Sequence, residues 1–153
     1  MKKLFLLGIM CFVALAMNAQ SFVDLGLPSG TKWKTQNQTG LYTFDQAVSK
    51  FGNRLPTKEQ WDELQIECTW EWTGAGYLVT GPNGKSIVMS AEGSRFCDDY
   101  DVEGMGRRGN YWSSTPDDSS YSWYLVFNDH DLAVISADGK RCYGFSVRLV
   151  QNQ

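Results

Sequence analysis

The stretch NRLPTKEQWDEL, Asn53 to Leu64, is where the reading of this chain starts. Pro56 cannot sit inside a helix, Thr57 is a good N-cap, and Gln60 three positions later completes a capping box. The spacing predicts a helix from Thr57, with Trp61 and Leu64 on one face and Lys58, Glu59, Asp62 and Glu63 covering the other. One side of this helix is therefore built to be buried.

Working outward, residues 22–25 and 32–35 read as strands around a turn at 28–30. TFDQAVSK at 43–50 reads as an earlier helix, with Phe44, Ala47 and Val48 on its apolar face. TrpGluTrp at 70–72 opens a strand, and YLVTGPNGKSIVMS at 77–90 reads as a hairpin around GPNG at 81–84. A polar, glycine-rich stretch covers 91–110. Strands follow at 111–114, 123–127, 132–136 and 145–150. In the last, Phe145, Val147 and Leu149 alternate with Ser146 and Arg148, which predicts one buried face. Two helices early and a run of strands late imply an α+β domain: two short helices packed on antiparallel β-sheet, with long C-terminal loops.

The first residues read as an address. Lys2 and Lys3 precede an apolar run from Leu4 to Met17, and Asn18, Ala19 and Gln20 offer a small-residue cleavage site. Residues 1–19 are expected to be a secretory signal peptide and 20–153 a single domain. The run is shorter than the roughly 20 residues that cross a bilayer, so no stable membrane insertion is expected. Met10 before Cys11 is too large for a lipidation site. The expected destination is secreted, periplasmic or cell-surface. The formal charge of −3 becomes more negative once Lys2 and Lys3 leave, and no cation cluster stands ready for phosphates, so nucleic acid is not an expected partner.

Cys68, Cys97 and Cys142 remain after cleavage, an odd number that permits one disulfide and one free thiol. Cys68 lies among Ile66, Trp70 and Trp72, as a buried unpaired thiol would. Cys97 and Cys142 sit in loop-like sequence; pairing in an oxidising compartment and two free thiols both stay open.

VDLGLPSGTKW at 23–33, RLPTKEQWDEL at 54–64, CTWEWT at 68–73, GPNGKSI at 81–87, YWSST at 111–115 and GFSVRLV at 144–150 together resemble the Fibrobacter succinogenes major paralogous domain family of secreted Bacteroidetes-type proteins. The order of elements resembles the C-type lectin-like fold. The resemblance implies that RLPT and the helix behind it are framework, with Trp61 and Leu64 under the sheet. Formylglycine-generating enzymes share the RLPT turn, but they need two reactive cysteines before the final strand, and only Cys142 lies there. Lectin-like domains with a closing GFSVRLV-type segment also resemble targets of diversity-generating retroelements. Such an origin would confine variation to codons 116–144.

Catalytic and metal readings are thin. His130 is the sole histidine, which excludes a histidine-rich zinc site and would have to serve any Ser–His–Asp arrangement. GMGRRG at 104–109 satisfies GxGxxG without a preceding strand or a following helix, so a dinucleotide site is not expected. Asp99, Asp101, Glu103 and Gly104 imitate the start of a calcium loop, yet Asn110 stands where the closing carboxylate belongs. Phe127, Asn128 and Asp129 echo only part of the WND-like triplet of calcium-dependent lectins. No metal or cofactor is expected.

What remains is a surface. The chain is 14% aromatic, and its last third mixes Tyr and Trp with Ser, Asp and Asn, the residues that supply rigid amphipathic area and adaptable hydrogen bonds in binding faces. The candidate ligand-binding residues are Asp117, Asp118, Ser119, Tyr121, Trp123, Asn128, Asp129, His130, Asp131, Arg141 and Tyr143. The function expected is that of a secreted, non-catalytic recognition domain for an extracellular protein or glycan. One competing reading is a polysaccharide-acting enzyme or accessory using Asp117, Asp118, Asp129 and Asp131. The other is a structural subunit anchored by Tyr121 and Trp123.

Overall fold

A computed structural model describes residues 21–131 and 134–153 of the chain. The expected signal peptide, and Leu132 and Ala133 of the strand expected at 132–136, lie outside the described residues.

Helix α2 (Lys58–Glu67) starts as its sequence dictates. The Thr57 hydroxyl accepts from the Gln60 amide and the Gln60 side chain accepts from the Thr57 amide. The segment in front of it is stitched to a strand, β6 (Arg108–Pro116). Ser114 N donates to the Pro56 carbonyl at 2.7 Å, and Lys58 N donates to Thr115 Oγ1 at 3.0 Å. Trp61 and Leu64 are fully buried, with the Trp61 ring 4.6 Å from Trp33 and its Nε1 donating to the Trp112 carbonyl. RLPT is framework, because its backbone and its helix hold the middle of the domain together.

The earlier helix, α1 (Phe44–Phe51), also carries a complete capping box, made by Thr43 and Gln46. Its buried positions are Phe44, Ala47 and Phe51, at i, i+3 and i+7. Val48, expected on the apolar face, is 37% exposed. The helix runs one residue past Lys50, and Phe51 completes the stripe instead.

Among the described residues the strands form three antiparallel sheets of three strands each, which makes the domain α+β. The first joins β1 (Phe22–Asp24), β2 (Lys32–Lys34) and β9 (Val150–Gln151), in that order. The second is β3 (Thr69–Trp72), β4 (Gly76–Thr80) and β5 (Ser86–Ser90), and the third is β6, β7 (Tyr121–Asn128) and β8 (Val134–Lys140). Strand β6 begins inside the stretch read as a polar loop. The strand expected to end at 136 continues to Lys140 as β8.

Because side chains alternate along a strand, Tyr111 and Trp112 of β6 enter different cores. Tyr111 joins Trp33, Trp61, Met89, Leu125 and Phe127, while Trp112 joins Phe44, Phe51, Phe145 and Leu149. Residues 145–149 pass between these layers. They make isolated bridges, Phe145 with Tyr42 and Ser146 with Tyr111, and only Val150 and Gln151 form a regular strand. Ser146 and Arg148 are as buried as Phe145 and Val147, so the expectation of one wet face fails. Both sides of this segment are covered.

Cys97 and Cys142 form a disulfide across a Cα separation of 5.1 Å, tying the 97–107 loop to the turn after β8. Among the described residues Cys68 is the free, buried thiol, and burial first, then Glu63 and Glu67, pushes it up to about 11. Among the described residues no helix is long and apolar enough to cross a membrane.

Candidate functional site

The eleven candidate residues do not converge. Eight residues of β7 separate two groups of them, a distance of about 23 Å at 3.3 Å per residue. Asp117 and Asp118 therefore lie at one end of the sheet, and Asp129 and Asp131 at the other. Glycosidase carboxylates work about 5–10 Å apart, so these four do not form one cleft.

At the 128–131 end the chain turns on Asn128. Its Oδ1 accepts from the amides of His130 and Asp131, both at 2.8 Å, and its Nδ2 donates to Asp131 Oδ2 at 2.9 Å. The Tyr77 hydroxyl reaches the carbonyls of Asn128 and Asp131 from behind. The backbone of this turn is thus fixed by side chains, as a short polar residue in a turn allows. Asp129 receives Arg107 Nε at 3.1 Å and faces His130 Nε2 at 3.6 Å. Burial works to raise the Asp129 carboxyl, but the Arg107 hydrogen bond and charge, with His130, outweigh it and hold the group below its usual range. The side chains of His130 and Arg107 are 79% and 71% exposed. Together with Glu103, Arg108, Asn128 and Asp129 they line a hollow of about 350 Å³. Phe127, the first member of the WND-like echo, is buried in the core instead.

At the other end, Asp118 Oδ1 accepts from the amides of Ser120 and Tyr121, which close the turn between β6 and β7 and depress its titration. Asp117 and Tyr121 border a shallow depression with Ser136 and Asp138. Ser119 is exposed in the same turn. Trp123 is half-buried on the flank, under the Lys58 ammonium at 4.9 Å. Arg141 lies over the Phe44 ring at 4.8 Å and donates through its backbone to Ser120, pinning α1 to the sheet. Tyr143 packs edge-on against Phe96 at 5.2 Å. Arg141 and Tyr143 are fastened into the frame.

The motifs set aside on spacing have structural roles. Gly104 and Gly106 take positive φ in a turn that runs directly into β6, and the face of the Phe127 ring lies where a Cβ on Gly109 would project. Asn110 is buried in β6, opposite Val126, so the calcium-like spacing is divided between a loop and a strand. Among the described residues no group of three or more His, Cys, Asp or Glu is placed to hold a metal ion.

Sequence reasoning missed a larger concavity elsewhere. A cavity of about 710 Å³ opens between TQNQTG at 35–40 and β5, with Arg148 in its floor. The Arg148 guanidinium, 1% exposed, donates to Asn37 Oδ1 at 2.8 Å, to the carbonyls of Lys34 and Thr35, and to the Val88 carbonyl at 2.6 Å. Asn37 Nδ2 in turn donates to the Tyr111 hydroxyl, which donates to the Ser90 carbonyl. The signals available were three consecutive amide side chains at 36–38 and an arginine inside an apolar strand.

Comparison with protein-family models, with curated proteins and with solved structures finds no significant match to the chain.

Proposed function

We propose that this protein is an extracellular, non-catalytic recognition domain whose ligand surface is the 128–131 turn together with the 103–108 loop. The observation that carries the reading is the pairing of a locked backbone with largely exposed polar side chains gathered on Asp129. Asn128 and Tyr77 fix the turn, while His130 on it and Arg107, paired to Asp129 from the neighbouring loop, keep most of their side-chain surface in solvent. Recognition residues on a rigid base lose little conformational freedom on binding. Charges of both signs line the hollow, which suits a polar ligand, an extracellular protein or a glycan.

The resemblance to the Fibrobacter succinogenes major paralogous domain family and to the C-type lectin-like fold belongs to this proposal. So does secretion, which the Cys97–Cys142 disulfide supports through the redox compartment it needs. Diversification by a retroelement would have to spare the buried Ser122, Leu125 and Phe127 within codons 116–144. Sequencing a clonal population checks this: substitutions spread evenly over the gene contradict it.

The reading is tested by applying the purified protein to an array of glycans and cell-surface proteins, beside an Arg107→Ala/His130→Ala double variant. Loss of signal in the double variant, with an unchanged unfolding midpoint, supports this surface. Equal binding by both overturns it.

A further inference from the structure

A second hollow opens beside the large cavity, with which it shares Gly40 and Glu92. It holds about 310 Å³, at the small end of ligand pockets, and its other borders are Leu41, Arg95, Val102 and Met105. It has no lining residue in common with the hollow at the 128–131 turn, and only Met105 belongs to the 103–108 loop.

The two charged residues stand on fixed backbone. The Arg95 amide donates to the Gly144 carbonyl at 3.0 Å and the Gly144 amide donates back to Arg95 at 2.8 Å, two residues before the Cys97–Cys142 disulfide. Gly93, next to Glu92, donates to the Arg108 carbonyl at 2.8 Å. On the facing wall, Tyr42 after Leu41 exchanges two backbone hydrogen bonds with Phe145, both at 2.9 Å. Glu92 is oriented from below by the fully buried Ser146, whose hydroxyl donates to Oε2 at 3.2 Å, and its carboxylate keeps acceptor capacity for more.

Both charges are half-buried. Among the described residues Glu92 and Arg95 make no ion pair with each other or with any other group, and the Arg95 guanidinium makes no side-chain hydrogen bond. Arg148 lines the large cavity and not this hollow, and its guanidinium is spent on Asn37 and three backbone carbonyls. The hollow therefore presents one carboxylate, one guanidinium and an apolar wall of Leu41, Val102 and Met105, the last two 40% and 69% exposed.

That combination narrows the ligand. A neutral or purely apolar molecule would strip water from both charges and pair neither. A simple anion would meet Glu92, and a simple cation would meet Arg95. A molecule carrying both charges beside an apolar body leaves none of the three surfaces unmatched.

We infer that this hollow binds a small zwitterion with an apolar side chain, an amino acid or short peptide, with Arg95 donating to its carboxylate and Glu92 accepting from its ammonium.

The test is a titration of the isotopically labelled, purified protein, followed by amide NMR shifts. The probes share one side chain: leucine, leucylleucine, N-acetylleucine without the ammonium, leucinamide without the carboxylate, and N-acetylleucinamide without either. Saturable shifts at 40–41, 92–95 and 102–105 are expected with leucine or leucylleucine, and the tighter of the two tells a free amino acid from a peptide as the source. Each analogue lacking a charge should bind about tenfold or more weaker, as a half-buried charge left unpaired requires. Arg95→Met should abolish the preference for leucine over leucinamide, and Glu92→Gln, which keeps an oxygen for Ser146, the preference over N-acetylleucine. A replacement that only disturbed the fold would weaken every probe alike and lower the unfolding midpoint. Arg107→Ala/His130→Ala should leave the binding unchanged, which separates this site from the proposed recognition surface. The inference is overturned if neither zwitterion moves these amides, if N-acetylleucinamide binds as tightly as leucine, or if both replacements keep the parent's preferences.

Discussion

Arg148 donates to the Val88 carbonyl at 2.6 Å, and through that bond the last segment of the chain closes the outer edge of β5. The same guanidinium holds the Lys34 and Thr35 carbonyls beside β2, so one side chain joins parts of two sheets. Arg148→Met would leave several buried acceptors without a donor, at about 1–3 kcal/mol for each that water cannot reach. Urea unfolding should show a loss of about 3 kcal/mol or more. Arg148→Lys should recover only part of it, since an ammonium lacks the planar fork. A loss below about 1 kcal/mol in Arg148→Met would show that the clasp is not holding the sheets.

The disulfide closes a loop with a sequence separation of 45 between Cys97 and Cys142. Cross-links over such spans contribute about 2–4 kcal/mol, chiefly by restricting the unfolded chain. Reduction, or Cys97→Ser, should lower Tm by roughly 10 °C. Cys68→Ala should leave the response to reductant as it is, because Cys68 has no disulfide partner. Equal Tm values with and without reductant would contradict this.

Alkaline titration should separate the tyrosines. Burial pushes Tyr111 up to about 12, partly opposed by Arg148 and Asn37, and burial with Asp138 takes Tyr124 to about 12. Above the ordinary phenol value of 10 the folded state therefore binds more protons than the unfolded state. The stability these groups contribute is complete below pH 10 and is lost as pH rises towards 12. Phenolate absorbance should show a late fraction of the seven tyrosines, led by Tyr111 and Tyr124 and joined by Tyr77, which burial and then Asp131 and Asp129 also push up. Loss of that fraction in folded protein at pH 10 would refute it.

Asp118 titrates in the opposite sense. The Ser120 and Tyr121 amides bonded to its carboxylate hold it below the ordinary 3.8, so near that pH the unfolded state binds more protons. Its contribution is present above about pH 4 and is lost as pH falls through the folded value. Asp118→Asn keeps a side-chain oxygen for the turn but removes the proton. Its stability curve should flatten below pH 4 relative to the parent, and identical curves would contradict the assignment.

Local physics made α2 legible, since a capping box and a two-residue apolar stripe are complete within a dozen positions. The apolar spacing in TFDQAVSK is equally local, and it put the first helix one residue from its true span at each end. The last segment was misread because alternation reports polarity, not burial: Arg148 and Ser146 look outward in FSVRLV but are covered by the 35–40 loop and β6. The candidate residues lie close in sequence, yet β7 carries them to opposite ends of a sheet, and no periodicity encodes which end faces what. The 36–38 amides read as an ordinary polar loop, because the arginine that floors their cavity is more than a hundred residues away.

The most direct measurement for the proposed recognition surface is hydrogen exchange on the purified protein with and without the strongest hit from the glycan and protein array. The account predicts new protection at 103–108 and 128–131, absent in the Arg107→Ala/His130→Ala variant. Protection confined to 117–121 and 136–141 would place recognition at the other end of β7 and contradict it.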